Sequence, residues 1–256
     1  MKTNMIYRYK GRDYTAINGE MEVYNGLTTS IPFYVEDISG QDNTLKIKKD
    51  DALSKTIQVD YSLDRVNWSS MGSTSTSGIT VTIPANGRVY LRAGTDAWGS
   101  SISVCNTISA TGKHNIGGNI MSLLNRDNFV DTFISSAYAF VRLFNGDTNL
   151  VDASYLMLPN KSYNTCYYEM FQGCTALVTA PRLTADVLER QCYEKLFNGC
   201  TGLKNVVCMA TNLSGSQCLN NWMQNVSASG TFYKKGGVSY PSGVSGIPSG
   251  WNVIDI

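Results

Sequence analysis

The chain has 256 residues, enough for one large domain or two modest ones, each with its own core. Apolar residues make up 43% of it and charged residues only 16%, which excludes a disordered chain and leaves Ser, Thr, Asn, Gly and Tyr to cover the surface. The net charge of +1, with no strongly basic segment, excludes the electrostatic footprint of a nucleic-acid binder.

Residues 1–27 begin "MKTNMIYRYKGRDYTAING" and hold no apolar run of the length a secretory signal needs. No stretch approaches the 18 or so apolar residues of a membrane-spanning helix, so no membrane insertion is expected. A chain starting at this Met1 is expected to work in the cytosol or to leave the cell inside a virus particle. The segment is rich in Tyr and suits an edge strand, or an arm docking on a fixed partner.

Residues 28–112 read as antiparallel β structure. "KTIQVDYS" alternates Ile57, Val59 and Tyr61 with polar neighbours, "GITVTIP" alternates Ile79, Val81 and Ile83, and "RVYLRA" puts Val89 and Leu91 on one face. Turn-forming clusters at 39–43, 62–68, 73–78 and 84–87 separate them, the spacing of a β-sandwich. "YSLDRVNWSSM" is similar to the "YSxDGxxW" hairpin of bacterial Ig-like modules, with Arg65 where those have glycine. His114, the lone histidine, lies in "SATGKHNIGGN", which reads as an exposed linker. No nucleophile motif surrounds it.

The second half repeats itself. "MFQGCTALVTAPRL" (170–183) returns as "LFNGCTGLKNVVCM" (196–209), an offset of 26. "LFNGDTNLVDASYL" (143–156) precedes the first at an offset of 27. Units therefore start near Ala139, Cys166 and Cys192, with a decayed fourth at Cys218. Equivalent residues form ladders: Cys166, Cys192 and Cys218; Cys174 and Cys200; Phe144, Phe171 and Phe197; Leu150, Leu177 and Leu203. The period falls within the roughly 20–29 residues of leucine-rich repeats, whose coils each need a neighbour to pack against. Apolar spacing in "CYYEMF" predicts a short helix ended by Gly173, and "TALVTAP" and "TGLKNVV" predict short strands.

Two departures stand out in unit one: Ala139 and Asp147 occupy positions that are cysteine later. A metal site would not tolerate this, and no C-x-x-C spacing occurs among the seven cysteines, so they read as small apolar residues and no metal or other cofactor is expected. The nearest carboxylate pairs, Asp50 with Asp51, Asp60 with Asp64 and Asp147 with Asp152, are candidates for glycoside hydrolysis only if folding sets them across a cleft. At the C-terminus, Ile247 and Trp251 of "GVSGIPSGW" are expected to cap the last coil. Among the aromatics, Tyr167 and Tyr193 share a ladder position and belong in the core. Tyr168, Trp98 and Tyr240 are the candidates for a contact surface.

The motif "CYxxMFxGCTxLxxAPxL", the lead-in "GGNIMSLLNRDNF" and the ending "SGTFYKKGGVSYPSGVSGIPSGW" resemble the BspA-type leucine-rich-repeat proteins of Bacteroides-group gut bacteria and their phages. The resemblance covers residues 117–256 and implies a short solenoid of α/β coils (113–225) and a cap (226–256); with the arm (1–27) and the Ig-like β-sandwich (28–112) read above, a mixed, β-rich chain is expected. The resemblance implies a non-enzymatic structural or adhesive role. The first expectation is a phage virion component, a fibre or decoration protein. It would contact other virion proteins through its N-terminal segment and host-surface protein or glycan through its repeats, with a trimer expected by analogy with other fibres. The alternatives are a bacterial cell-surface adhesin and, from another class, a carbohydrate-active enzyme.

Overall fold

The computed structural model describes residues 5–9, 12–16, 31–130 and 133–256. The chain is β-rich. Most of the segment expected to form a docking arm lies outside the described residues. Its described part is a hairpin of β1 (Met5–Tyr9) and β2 (Arg12–Ala16).

Two further sheets follow. The smaller has the antiparallel order β7-β4-β9, from β4 (Asn43–Lys49), β7 (Ile79–Ile83) and β9 (Asn106–Ala110). The larger has ten strands. Its antiparallel part contains β6 (Ser69–Ser73), β5 (Gln58–Ser62), β8 (Arg88–Ala93) and β3 (Tyr34–Asp37). Period-2 alternation explains the pairing: Leu45, Ile47 and Ile83 from one sheet and Val35, Val59, Val89 and Leu91 from the other are buried in one core.

β10 (His114–Asn119) joins the halves. One edge pairs antiparallel with β3 and the other parallel with β11 (Leu150–Met157). From there β12 (Thr179–Leu183), β13 (Asn205–Cys208), β14 (Gly230–Lys234) and β15 (Trp251–Asp255) continue the sheet in parallel. The boundary expected at 112/113 thus falls where one sheet passes unbroken from antiparallel to parallel.

The expected short helices are absent; among the described residues the only helix is a 3₁₀ turn, Ile120–Leu123. Each repeat instead makes a chain of tight turns. In unit two the amides of Cys166, Tyr168, Met170, Gln172 and Cys174 donate three residues back. The alternate amides, of Thr165, Tyr167, Glu169, Phe171 and Gly173, donate to carbonyls 25 residues ahead at 2.8–3.2 Å. An α-helix would spend every one of these amides within its own segment. Every fourth residue takes a positive φ to permit the pattern: Thr165 (59°), Glu169 (53°) and Gly173 (74°), then Gln191, Lys195 and Gly199 in the next unit. The apolar residues therefore recur every four positions: Cys166, Met170 and Cys174 in one column, Tyr167 and Phe171 in the other, all buried.

Stacking turns these columns into continuous core. Ring centroids run from Phe33 to Phe144 (5.8 Å), Phe171 (5.4 Å) and Phe197 (5.6 Å), and from Phe140 to Tyr167 (6.0 Å) and Tyr193 (5.8 Å). Both columns end on Trp222, 6.4 Å from Tyr193 and from Phe197. Leu150, Leu177 and Leu203 are fully buried beside them.

Candidate binding face

One face of the large sheet packs on the core through Val35, Val89, Ile116, Ala153, Leu156, Ala180, Leu183, Val206 and Phe232. The alternate residues point the other way. Register places Tyr90 opposite Tyr34, Tyr34 opposite Gly117, and Gly117 opposite Tyr155. On the far strands Arg182 faces Val207, Val207 faces Tyr233, and Tyr233 faces Ile254. A second row of polar residues runs alongside: Arg88, Glu36, Asn115, Asp152, Thr179, Asn205, Thr231 and Asn252.

The two ends of this face differ. Over the antiparallel strands it is filled in: the Arg88 guanidinium stacks 4.4 Å from the Tyr34 ring and pairs with Glu36 at 2.7 Å, and Tyr34 and Tyr90 are buried. Gly117 is required there, because a Cβ would fall 2.3 Å from the Tyr34 hydroxyl and 2.9 Å from Cβ of Tyr155. Over β11–β15 the row is open, with Tyr155, Arg182, Val207, Tyr233 and Ile254 all half-buried and Asn252 exposed. Adjacent strands lie about 4.8 Å apart, so Tyr155 and Tyr233 stand roughly 14 Å apart with Arg182 and Val207 between them. Large rings, a guanidinium and planar amides on a rigid sheet form a surface able to stack on and hydrogen-bond a ligand.

The contact residues expected from sequence lie elsewhere. Trp98 is fully buried, donating from Nε1 to the Leu123 carbonyl at 3.0 Å. Tyr168 is 6% exposed, packed with Cys105 and Val141, and its hydroxyl accepts from Lys195 at 3.1 Å. Tyr240 turns its hydroxyl inward to the Ala210 carbonyl at 2.9 Å and sets its ring 5.2 Å from Phe232. None of the three presents an open ring. Tyr155 and Arg182 occupy the same slot of successive units, and their outward alternation with Leu156 and Leu183 was the signal available for them.

The cysteines are all free and buried. Burial pushes the thiols up, to about 12 for Cys166 and Cys200, about 11 for Cys105 and Cys208, and well above the usual range for Cys174 and Cys192. Thiols of this kind are poor nucleophiles and poor metal ligands. Cys174 donates to the Phe144 carbonyl (3.0 Å) and Cys200 to the Phe171 carbonyl (2.9 Å), each reaching back one coil. Cys218 keeps to its own coil, donating to Leu213.

His114 is not an exposed linker residue. It is 2% exposed, and its Nε2 lies 3.2 Å from Oδ2 of Asp147. Unit one has no coil behind it, only β9 and β10, which present the Ala110 amide (3.3 Å from Oδ2) and the His114 ring instead of a carbonyl. The slot therefore needs an acceptor and carries Asp147. Among the described residues, no group of three His, Cys, Asp or Glu side chains is placed to hold a metal ion, and no helix is long and apolar enough to cross a membrane.

At the C-terminal end Trp251 is 6% exposed and donates to the Ser227 carbonyl at 2.9 Å, while Ile247 packs against the core edge. Trp222, fully buried, donates to the Gly246 carbonyl at 2.7 Å and ties the loop at 241–247 across the last coil. No family of known proteins, no curated protein and no solved structure matches the chain.

Proposed function

We propose that this chain is a non-enzymatic structural and adhesive protein: an Ig-like β-sandwich carrying a short BspA-type leucine-rich-repeat solenoid, whose open sheet face binds a host-surface glycan or protein. One observation carries the reading: Tyr155, Arg182, Val207 and Tyr233 form an outward row across successive parallel strands, backed by a rigid core. A rigid platform limits the entropy lost on binding. The low charge and the Ser-, Thr-, Asn- and Tyr-rich surface suit a particle-surface setting, and the repeat motifs resemble a family found in gut bacteria and their phages. The reading places the chain on a phage particle as a fibre or decoration protein, attached through its N-terminal segment.

Two experiments test it. Mass spectrometry of purified virions should find the chain in the particle; finding it only on bacterial envelopes would favour a cell-surface adhesin. Purified protein should bind host cells, and Tyr155→Ala with Tyr233→Ala should reduce binding at least tenfold while leaving the melting temperature within a few degrees. Undiminished binding by the double variant overturns the assignment of the face.

A further inference from the structure

One groove of about 340 Å³ is lined by Leu53, Lys55, Asp96 and Tyr138, and a second groove also carries ion pairs on its walls. This second groove, of about 320 Å³, lies on the same sheet face as the open row, over β8, three strands from β11 and so roughly 14 Å from Tyr155. Trp68, Arg92, Arg126, Asp127, Val66 and Arg65 line it.

The Arg92 guanidinium is fixed from two sides. It stacks 4.2 Å from the Trp68 ring, and its Nε donates to Asp60 at 3.3 Å. Arg126 also binds Asp60, so that carboxylate, 13% exposed, is held by two guanidiniums from behind. The remaining edge of Arg92 points outward and donates from Nη1 to Asp127 at 2.9 Å. Asp127 is a different kind of partner: its side chain is 70% exposed. The third carboxylate, Asp64, is turned into its own loop, where it accepts from the amides of Val66 and Asn67, from the Asn67 side chain and from Ser62, which holds its carboxyl below the usual range.

Counting the charged groups here, Arg65, Arg92 and Arg126 balance Asp60, Asp64 and Asp127. Taking Asp127 away leaves one positive charge facing solvent on a preorganised, ring-stacked guanidinium. That is the arrangement that receives a carboxylate. The walls decide which kind. Amides of Asp64, Arg65, Val66 and Asn67 are all taken by the Ser62 and Asp64 side chains at 2.7–3.2 Å, so the loop offers no ladder to an extended peptide. Val66, 78% exposed, and the edge of Trp68 offer apolar surface of the size of a sugar ring's C–H face.

We propose that this groove binds the carboxylate of an acidic saccharide through Arg92, and that Asp127 occupies the carboxylate's place in the free protein. The site does not depend on the open row over β11–β15, and its test uses different residues and small probes. Isothermal titration or NMR titration of the full chain with glucuronate and with N-acetylneuraminate should show binding that glucose and methyl glucuronate ester lack. Asp127→Asn should tighten that binding by about two- to fivefold, the scale of an exposed ion pair. Arg92→Lys should weaken it by about tenfold, because a point charge replaces a two-pronged planar donor. Tyr155→Ala should leave it unchanged. Equal binding of ester and acid, binding of an acidic peptide in preference to the sugars, or Asp127→Asn that fails to tighten binding would overturn the proposal. The Asp127→Asn arm decides even if Arg92→Lys proves unstable.

Discussion

Nε2 of His114 and Oδ2 of Asp147 meet 3.2 Å apart with both side chains 2% exposed, at the seam where the antiparallel strands hand over to the repeats. Nδ1 of the same ring lies 2.9 Å from the Gly112 carbonyl, so both ring nitrogens face oxygen acceptors. Asp147→Cys restores the residue of units two and three but leaves the Ala110 amide and the His114 ring without an acceptor. It should cost about 2–4 kcal/mol in urea unfolding, because buried donors are expensive to orphan. Adding His114→Leu to Asp147→Leu should recover part of the loss seen with Asp147→Leu alone.

The thiols predict alkaline lability. An unfolded cysteine ionises near its ordinary value of about 8.5, whereas Cys166 and Cys200 hold their protons to about 12. Between those values the unfolded chain binds fewer protons than the folded one. Stability is then whole below about pH 8.5 and falls as pH rises toward 12, by up to about 1.4 kcal/mol per pH unit for each such thiol. Urea midpoints measured from pH 7 to pH 10.5 should drop accordingly, and Cys→Ser exchange at Cys105 should flatten the curve only slightly. In native protein at pH 8 none of the seven thiols should react with a disulfide reagent, and all seven should react once the chain is unfolded.

Two glycines of the repeats should respond to alanine for different reasons. Gly173 has φ +74°, and an added Cβ would meet nothing nearer than 3.6 Å from Gly146, so Gly173→Ala pays only for a left-handed backbone, about 1–2 kcal/mol. Gly202 has an ordinary φ, but its Cβ would lie 2.6 Å from the Thr175 carbonyl of the coil behind. Gly202→Ala must push coils apart, and its cost should exceed that of Gly173→Ala. Thermal denaturation of the two variants side by side checks the order.

Trp222 ends both aromatic columns and holds the closing loop, so Trp222→Ala should cost about 3–5 kcal/mol and expose the last coil to proteolysis. Trp222→Phe keeps the stacking and loses the bond to Gly246, and should cost about 1–2 kcal/mol. Limited proteolysis with identification of the first cut checks where the chain opens: the cut should fall between residues 225 and 250.

Much of the β pattern was legible because alternation with period two needs only a few residues to declare itself: Val59 and Tyr61, or Ile79, Val81 and Ile83, fall within the strands found. The repeat offset was legible for the same reason, since identical slots demand similar residues. The turn chains were not. A four-residue apolar period differs from the helical 3.6 by too little to show over nine residues, and the residues that decide the matter, Thr165, Glu169, Gln191 and Lys195, adopt positive φ without the glycine that would announce it. The binding face was obscured by the same blindness to direction. Tyr168 is interior because its turn points it toward Val141, a fact not local to the residue, whereas the outward place of Tyr155 could be read from its alternation with Leu156. His114 and Asp147 lie 33 positions apart, and what looked like a lapse in the repeat was half of a pair.

The lateral amide scheme has a consequence for how such a chain changes length. Each coil offers its predecessor the same set of carbonyls that it finds in its successor, and only the two outer layers are specialised: Asp147 at one end, Trp222 with its closing loop at the other. A further copy of residues 166–191 placed between units two and three would find every donor and acceptor already in position. Reach, the distance between the antiparallel strands and the far edge, is then adjustable in steps of one strand spacing without altering either terminus of the stack.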